Sequence, residues 1–305
     1  MDAVKAENLK KSFGSVKAVD DVSIRISKGE IFGFLGPNGA GKTTTIRMLT
    51  GVLIPDFGTV SIFGTDIHKN PLSAKLKLGV IPENGTVYSD LTAFQNVVLT
   101  AKFYGMDKKA REERAEEILD SLGLSDWKNK IVRSFSKGMR QRVSIAAAIV
   151  HSPELLILDE PTTGLDVYSR RLVIDTVRRM NIEGSTILLT THNIEEANAL
   201  CSNISIINRG RIVATESPEK LKKTFDTSRF VEVSFDRVVG KDLFSAPGII
   251  RAEPWGDKWR VFSDDPDIAV RYLSSVAELE HLKFVSIATS NPTLEEAFVK
   301  LTEAV

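Results

Sequence analysis

Cysteine is almost missing from this chain: Cys201 is the only one in 305 residues. A single thiol excludes a disulfide framework and a thiolate cluster for zinc or iron-sulfur chemistry, which leaves it a buried structural role. Net charge is missing as well. Forty basic residues balance forty acidic ones, so the chain lacks the electrostatic footprint of a dedicated DNA or RNA binder, although a local basic patch is compatible with that balance. Nowhere do the roughly 20 consecutive apolar residues of a membrane-spanning helix occur. Met1 to Phe13 has no continuous apolar segment of the kind a secretory signal carries. These absences lead to the expectation of a soluble, cytoplasmic protein. Apolar residues are plentiful, at 42% of the chain, and the length allows more than one domain.

The stretch around which the chain is organised is Gly36-Pro37-Asn38-Gly39-Ala40-Gly41-Lys42-Thr43-Thr44. An apolar run, Ile31 to Leu35, leads into it, and a helix-compatible run, Thr45 to Leu49, follows. Strand, glycine-rich turn and helix in that order are what a phosphate-binding loop requires. Glycines let backbone N-H groups close around an anion at a helix N-terminus. Lys42 would bring a mobile positive charge to the β- and γ-phosphates of a nucleotide, and Thr43 a hydroxyl to Mg²⁺.

Alternation marks strands at Val4 to Leu9 and Val22 to Ile26, with further short ones near Gly58 to Phe63 and Leu78 to Pro82. From Ala93 to about Leu124 the period becomes helical, the charged stretch Asp107 to Glu117 reading as a solvated face. A second helix is expected over Lys137 to Val150. Leu155 to Leu158 and Ser185 to Thr191 read as strands buried on both faces of a parallel sheet, and strands alternating with helices imply a layered α/β core. The segment between Glu83 and Pro153 reads as a helical lobe hung on that core. A helix over Pro218 to Phe225 closes the first unit. The remainder reads as strand Phe230 to Phe235, short helix near Asp242 to Ser245, hairpin Ile249 to Glu253 with Lys258 to Phe262, helix Asp267 to Glu278 and strand Lys283 to Ala288. That is the split β-α-β-β-α-β order of a small α+β domain of ferredoxin-like type. Thr293 with Glu296 fits a capping box, ahead of an apolar stripe of Leu294, Ala297, Phe298 and Leu301.

The chemistry-bearing residues lie in the first unit. A carboxylate at the end of a buried strand can hold Mg²⁺ beside a phosphate loop, and Asp159 stands there. Glu160, one residue on, is placed to accept a proton from an attacking water; a surface acid at a strand end is the alternative for each. Ser134-Phe135-Ser136-Lys137-Gly138-Met139-Arg140-Gln141-Arg142 precedes the second helix. Together with the glycine loop, Leu155 to Glu160, Thr163-Gly164-Leu165-Asp166 and His192, it makes Val4 to Phe225 strongly resemble the ATP-binding-cassette ATPases. The drug-resistance and sodium-extrusion exporter branch, which carries an extra C-terminal region, is the most similar in outline.

That resemblance implies a P-loop cassette with a mixed sheet and a helical lobe over residues 1–226, and an accessory domain over 227–305. It implies ATP and Mg²⁺ as ligands, with Gly36 to Thr44 on the phosphates and Thr43, Asp159 and Glu83 near the metal. The family signature Leu-Ser-Gly-Gly-Gln stands here as Phe135 to Met139. Ser136 and Gly138 are kept, whereas Lys137 and Met139 alter the rim. By resemblance that segment acts on ATP held by a second copy of the chain. Glu83 falls where the family carries glutamine, and ionised glutamate only accepts hydrogen bonds. It either reaches Mg²⁺ or its waters, or couples nucleotide state to a partner. His192 matches the switch histidine that contacts the γ-phosphate, its alternative being a structural histidine with a capping box of Asn193 and Glu196. Asp166 would shape the subunit contact. Phe13 matches the ring that stacks on adenine, or is a core residue.

The first functional expectation is the energising subunit of a membrane exporter, peripheral on the cytoplasmic face. It would partner a separate multi-span permease and dimerise head to tail on ATP. The second is a soluble cassette ATPase acting on ribosomes or nucleic acid. Such proteins carry paired cassettes, a long coiled coil or metal-cluster cysteines, and none appears in this sequence. A third, a small-molecule P-loop kinase, would not need Phe135 to Met139 or His192. For the C-terminal region three readings stay open: a dimerisation module, a ligand sensor, or a cap on the permease.

Overall fold

The strand Ile31–Leu35 is buried at every residue and pairs in parallel on both sides, with Thr186–Thr191 and with Asn203–Asn208. In the computed structural model, which describes residues 1–83, 85, 87–224, 229–290 and 293–303, this strand lies within a six-stranded sheet. The order across the sheet is Arg211–Glu216, Asn203–Asn208, Ile31–Leu35, Thr186–Thr191, Leu155–Asp159 and Leu78–Ile81. All neighbours are parallel except the edge strand Arg211–Glu216, which is antiparallel. Continuous apolar runs such as Leu155 to Leu158 suit strands covered on both faces. A second, antiparallel sheet runs Val16–Ser27, Asp2–Phe13, Phe57–Ile62 and Thr65–Asp66. Phe32, Phe34, Ile46, Met48, Ile157 and Leu188 join Val4, Leu9, Ile24 and Ile26 from that sheet in one core.

Parallel strands need long crossovers, because the chain must return to the same end before starting the next strand. The sequence reading carried no element between Leu158 and Ser185. The structure places the helix Val167–Ile182 there, as well as the helix Ile194–Leu200 and the strand Asn203–Asn208 further on. The expected helical span from Ala93 to Leu124 is two helices, Ala93–Phe103 and Lys108–Ser121, separated by a turn. Lys108–Ser121 buries only Ala115, Ile118 and Leu119, as a solvated helix does. Thr92 opens the first of the pair with a complete capping box to Gln95. Lys137–Ile149 completes the lobe.

The chain divides after Pro218 into two units. The helix Pro218–Thr224 therefore starts the second unit rather than closing the first, and the part of that expected helix at Phe225 lies outside the described residues. The second unit has strands Phe230–Phe235, Arg251–Trp255, Lys258–Phe262 and Phe284–Ser290 in one antiparallel sheet. Numbered by chain order within the unit, they run second, third, first, fourth. Val231, Val233 and Val261 pack against Ala269 and Leu273 of the helix Pro266–Leu279. The first crossover is only a 3-10 segment, Lys241–Phe244, so the α+β layer has one full helix between its strands. Leu294 and Ala297 are buried, while the Glu296 side chain proposed for the capping box lies outside the described residues. No helix among the described residues is long and apolar enough to cross a membrane. Burial raises the Cys201 thiol pKa, with the Glu196 and Glu30 carboxylates adding to it, so the thiol stays protonated and inert.

His151 lies flat on Tyr104, ring centroids 3.5 Å apart, and its Nε2 and the Tyr104 hydroxyl both meet the Leu78 carbonyl at 2.9 Å. Burial pushes the His151 imidazole down to about 4, against a small opposing effect of the carbonyl bond. A histidine whose folded pKa is depressed stabilises the fold fully above its unfolded pKa of roughly 6.5. That contribution is lost as pH falls toward the folded value. Chemical denaturation should show about 3 kcal/mol disappearing between pH 6.5 and 4, and His151→Phe should flatten that slope. In the core, Ile157→Ala is expected to cost about 2 to 5 kcal/mol in the same assay.

Candidate functional site

Parallel pairing lines up the carboxyl ends of the central strands. Leu35 is opposite Thr191, and Asp159 is opposite Thr190. Everything that follows these strands therefore emerges along one edge: the glycine loop after Leu35, Glu160 after Asp159, His192 after Thr191. Glu83 arrives from Leu78–Ile81 on the far side of Leu155–Asp159. Such edges are where open α/β sheets bind ligands.

The loop delivers its backbone to a helix start that no side chain caps and whose first turn contains no acidic residue. The N-cap, Gly41, has φ 107°, and a Cβ there would stand 2.5 Å from the Ala18 carbonyl oxygen. Only glycine fits, and the first N-H groups of the helix Lys42–Leu49 are left to meet an anion. Lys42 is buried and folds back along the loop. Its Nζ donates to the Gly36 carbonyl at 2.7 Å and the Pro37 carbonyl at 3.3 Å, and stands 3.6 Å from Glu160 Oε1.

One hydroxyl sets both acids. Thr190 Oγ1 donates to Asp159 Oδ1 at 2.6 Å and accepts from the Glu160 N-H at 2.9 Å. Glu160 has φ 53°, a strained conformation for a residue with a Cβ. Its Oε2 accepts from Thr163 Oγ1 at 2.9 Å and meets His192 Nδ1 at 2.7 Å. A carboxylate only accepts, so the Nδ1 carries the hydrogen. The imidazole is 57% exposed although the Glu160 side chain is nearly buried. These groups border a cavity of about 380 Å³ lined by Ala18, the loop, Glu83, Glu160, Thr163 and His192. Glu83, itself exposed, also borders a neighbouring cavity of about 530 Å³ that includes Asp159 and Thr43.

A family description, "ABC transporter", matches residues 19–163. The linearmycin resistance ATP-binding protein LnrL of Bacillus subtilis (strain 168) is 34% identical over 304 residues, 98% of each chain. The daunorubicin/doxorubicin resistance ATP-binding protein DrrA of Streptomyces peucetius is 36% identical over 307 residues, covering 98% of this chain and 92% of that one. A solved ATP-binding cassette, dimeric and in a post-hydrolysis state with ADP and Pi, is 27% identical with a TM-score of 0.66, over 70% of this chain and 98% of its own. The chain belongs to the ATP-binding proteins of ABC transporters. It is accordingly an ATP-hydrolysing transporter subunit.

Other residues named from the sequence lie apart from this ABC protein's loop cavity. Phe13 ends the strand Asp2–Phe13, is 52% exposed with Lys11 Nζ 6.0 Å from its ring centre, and is not among the residues lining the cavity. Ser136 caps the helix Lys137–Ile149, its Oγ accepting from the Met139 N-H at 3.2 Å. Gly138 has an intramolecular reason to be glycine: a Cβ would stand 2.3 Å from Ser169 Oγ and 3.3 Å from Asp166 Oδ2. Asp166 caps the helix Val167–Ile182 through both the Ser169 N-H and hydroxyl, and these bonds hold its carboxyl below the usual range. Lys137 alone of the signature residues shares a cavity with Glu160 and Thr163, one of about 300 Å³ that also includes Arg140. Sequence reasoning gave Thr190 no role, named Thr163 only within Thr163-Gly164-Leu165-Asp166, and read Glu196 only as a capping-box partner, so their contacts to Asp159, Glu160 and Thr162 were missed. Two threonines closing an otherwise apolar strand were the available sign.

Gly41→Ala forces a left-handed backbone and a clash with backbone oxygen. ATP binding measured by calorimetry should weaken about tenfold or more, and the strain, about 1 to 3 kcal/mol, should also lower the thermal unfolding temperature of the ligand-free protein.

Proposed function

We propose that this chain is the nucleotide-driven subunit of an exporter, seated on the cytoplasmic face of a membrane through a separate multi-span permease. Two copies would close head to tail on ATP, and hydrolysis would let them part. The observation that carries this reading is the split of the machinery. Lys42, Glu160 and His192 converge on one cavity, while Ser136 and Gly138 stand outside its lining. A monomer thus holds two different half-sites.

In this reading Lys42 and the loop N-H groups bind the phosphates. The Glu160 carboxylate takes the proton of the attacking water, and His192 and Thr163, both bonded to its Oε2, steer it. With Nδ1 donating to Glu160, His192 Nε2 donates to a γ-phosphate oxygen only as the imidazolium. Mg²⁺ fits the residues present. Thr43, Asp159 and Glu83 are hard oxygen donors bordering the same cavity, and no group of three or more His, Cys, Asp or Glu among the described residues forms a complete cage. Remaining oxygens would come from phosphate and water, as Mg²⁺ prefers. Bound there it would neutralise phosphate charge. The unit up to Pro218 acts as the cassette, and the unit that starts at Glu219, rather than at the expected residue 227, acts as an accessory domain.

The exporter assignment is supported by relatives named for drug resistance and by those named for Nod factor export. The permease would dock near Glu83 to Tyr104, where Tyr88 is exposed and Val87, Leu91 and Phe94 are half-buried. Asn96 holds the Tyr88 backbone by both its N-H and its carbonyl, at 2.7 and 3.1 Å.

Glu160→Gln should lower ATP turnover about 10² to 10⁴-fold and leave an ATP-bound dimer that persists on size-exclusion chromatography. Wild-type turnover in that variant removes Glu160 from the reaction. Lys42→Ala and Ser136→Arg should each be inactive alone yet recover activity when mixed, because a mixed dimer keeps one intact composite site. A mixture that forms dimers without recovering activity argues against shared sites. Capture on detergent-solubilised membrane proteins rather than on ribosomes or DNA is the expected outcome of a pull-down.

A further inference from the structure

Glu196 sits at the third position of the helix Ile194–Leu200, where its spacing from Asn193 leads to the expectation of a capping box. Half of that box is present: Asn193 Oδ1 accepts from the Glu196 N-H at 3.0 Å. The Glu196 side chain does not return the bond. It is turned inward, 6% exposed, and its Oε2 accepts from Thr162 Oγ1 at 2.8 Å and from Thr191 Oγ1 at 3.2 Å. The other oxygen, Oε1, is buried with no hydrogen-bond partner among the described residues. A buried carboxylate with an unmet oxygen is an expensive way to fill space, which points to a role other than packing.

The two donors suggest that role. Thr162 immediately precedes Thr163, which donates to Glu160 Oε2, and Thr191 immediately precedes His192, which meets the same oxygen. Adjacent Cα atoms are fixed about 3.8 Å apart, so a shift at Thr162 or Thr191 is passed to its neighbour. One oxygen of Glu196 therefore ties down the residues next to both groups that hold one oxygen of Glu160. Thr191 Oγ1 also accepts from the Asn193 N-H at 2.9 Å, which locks the start of the helix to the same knot.

We propose that Glu196 is a positioning residue for hydrolysis: through Thr162 and Thr191 it fixes the two loops that aim the Glu160 carboxylate. This rests on the reading of Glu160 as the base.

Small misplacements of a reacting group cost as much as about 10²-fold. Glu196→Ala should accordingly lower kcat about 10- to 100-fold, while the KM for ATP and the affinity for ADP, which report on Lys42 and the loop, stay within about threefold. Glu196→Gln, whose amide oxygen still accepts from both threonines, should recover most of that loss. Turnover is normalised to the number of ADP-binding molecules, so a merely structural defect would not register in kcat. In a Glu160→Gln background, Glu196→Ala should add less than about a twofold loss, the non-additivity expected of coupled neighbours. Wild-type kcat in Glu196→Ala, no recovery with glutamine, or an undiminished loss in the Glu160→Gln background would each overturn the proposal. If the alanine variant does not fold, Thr162→Val and Thr191→Val, close in shape, should each lower kcat, and unchanged turnover in both would overturn it equally. A failure of the base reading shows separately, as wild-type turnover in Glu160→Gln itself.

Discussion

The register of four parallel strands is the constraint on which the site depends. Because Leu35 faces Thr191 and Asp159 faces Thr190 across the ladder, the chain leaves the sheet at the same edge each time. A one-residue slip would turn the strand ends over, since side chains alternate with a period of two. Buried apolar runs on both faces hold that register, so the core and the site share one cause. At the polar ends of these strands the sheet meets the loop cavity, and there the apolar pattern gives way to threonine and acid.

At that edge a few hydroxyls do most of the arranging. Thr190 links the two acids, Thr163 and His192 hold Glu160, and Thr162 and Thr191 share Glu196. Hydroxyls suit this because each donates once and accepts as well, so a single atom can join two groups of different need. Glu160 bears the strain that results, with φ 53° beside a buried side chain. Strain of this kind persists only where surrounding bonds over-determine it, and three side-chain partners, Thr190, Thr163 and His192, hold Glu160. The signature helix, capped by Ser136 and with Gly138 close against Ser169, meets this edge through the cavity that Lys137 and Arg140 share with Glu160 and Thr163.

Much of this was legible in the residues. The glycine loop, the apolar strand ending in Asp159-Glu160, and the split order of the second unit each follow from local pattern, because helix and strand periods differ and glycine marks a backbone that other residues cannot adopt. Val167–Ile182 escaped notice, although parallel strands on either side demanded a crossover between Leu158 and Ser185. Gly138 was legible as a signature glycine. Its contact with Ser169, 31 residues further along the chain, was not.

The sequence by itself determined which chemistry is present: a phosphate loop, two acids after a buried strand, a histidine after another, and the α/β alternation that carries them. Each of these is a short-range pattern, written in consecutive residues. Only the tertiary structure decided which groups meet. Glu160 touches residues 32 and 3 positions away through the same oxygen, and Glu196 trades its capping role for bonds to a threonine 34 residues earlier. Such choices are made by strand order and register, because hydrogen bonds between distant loops exist only once the sheet has brought their ends to one edge.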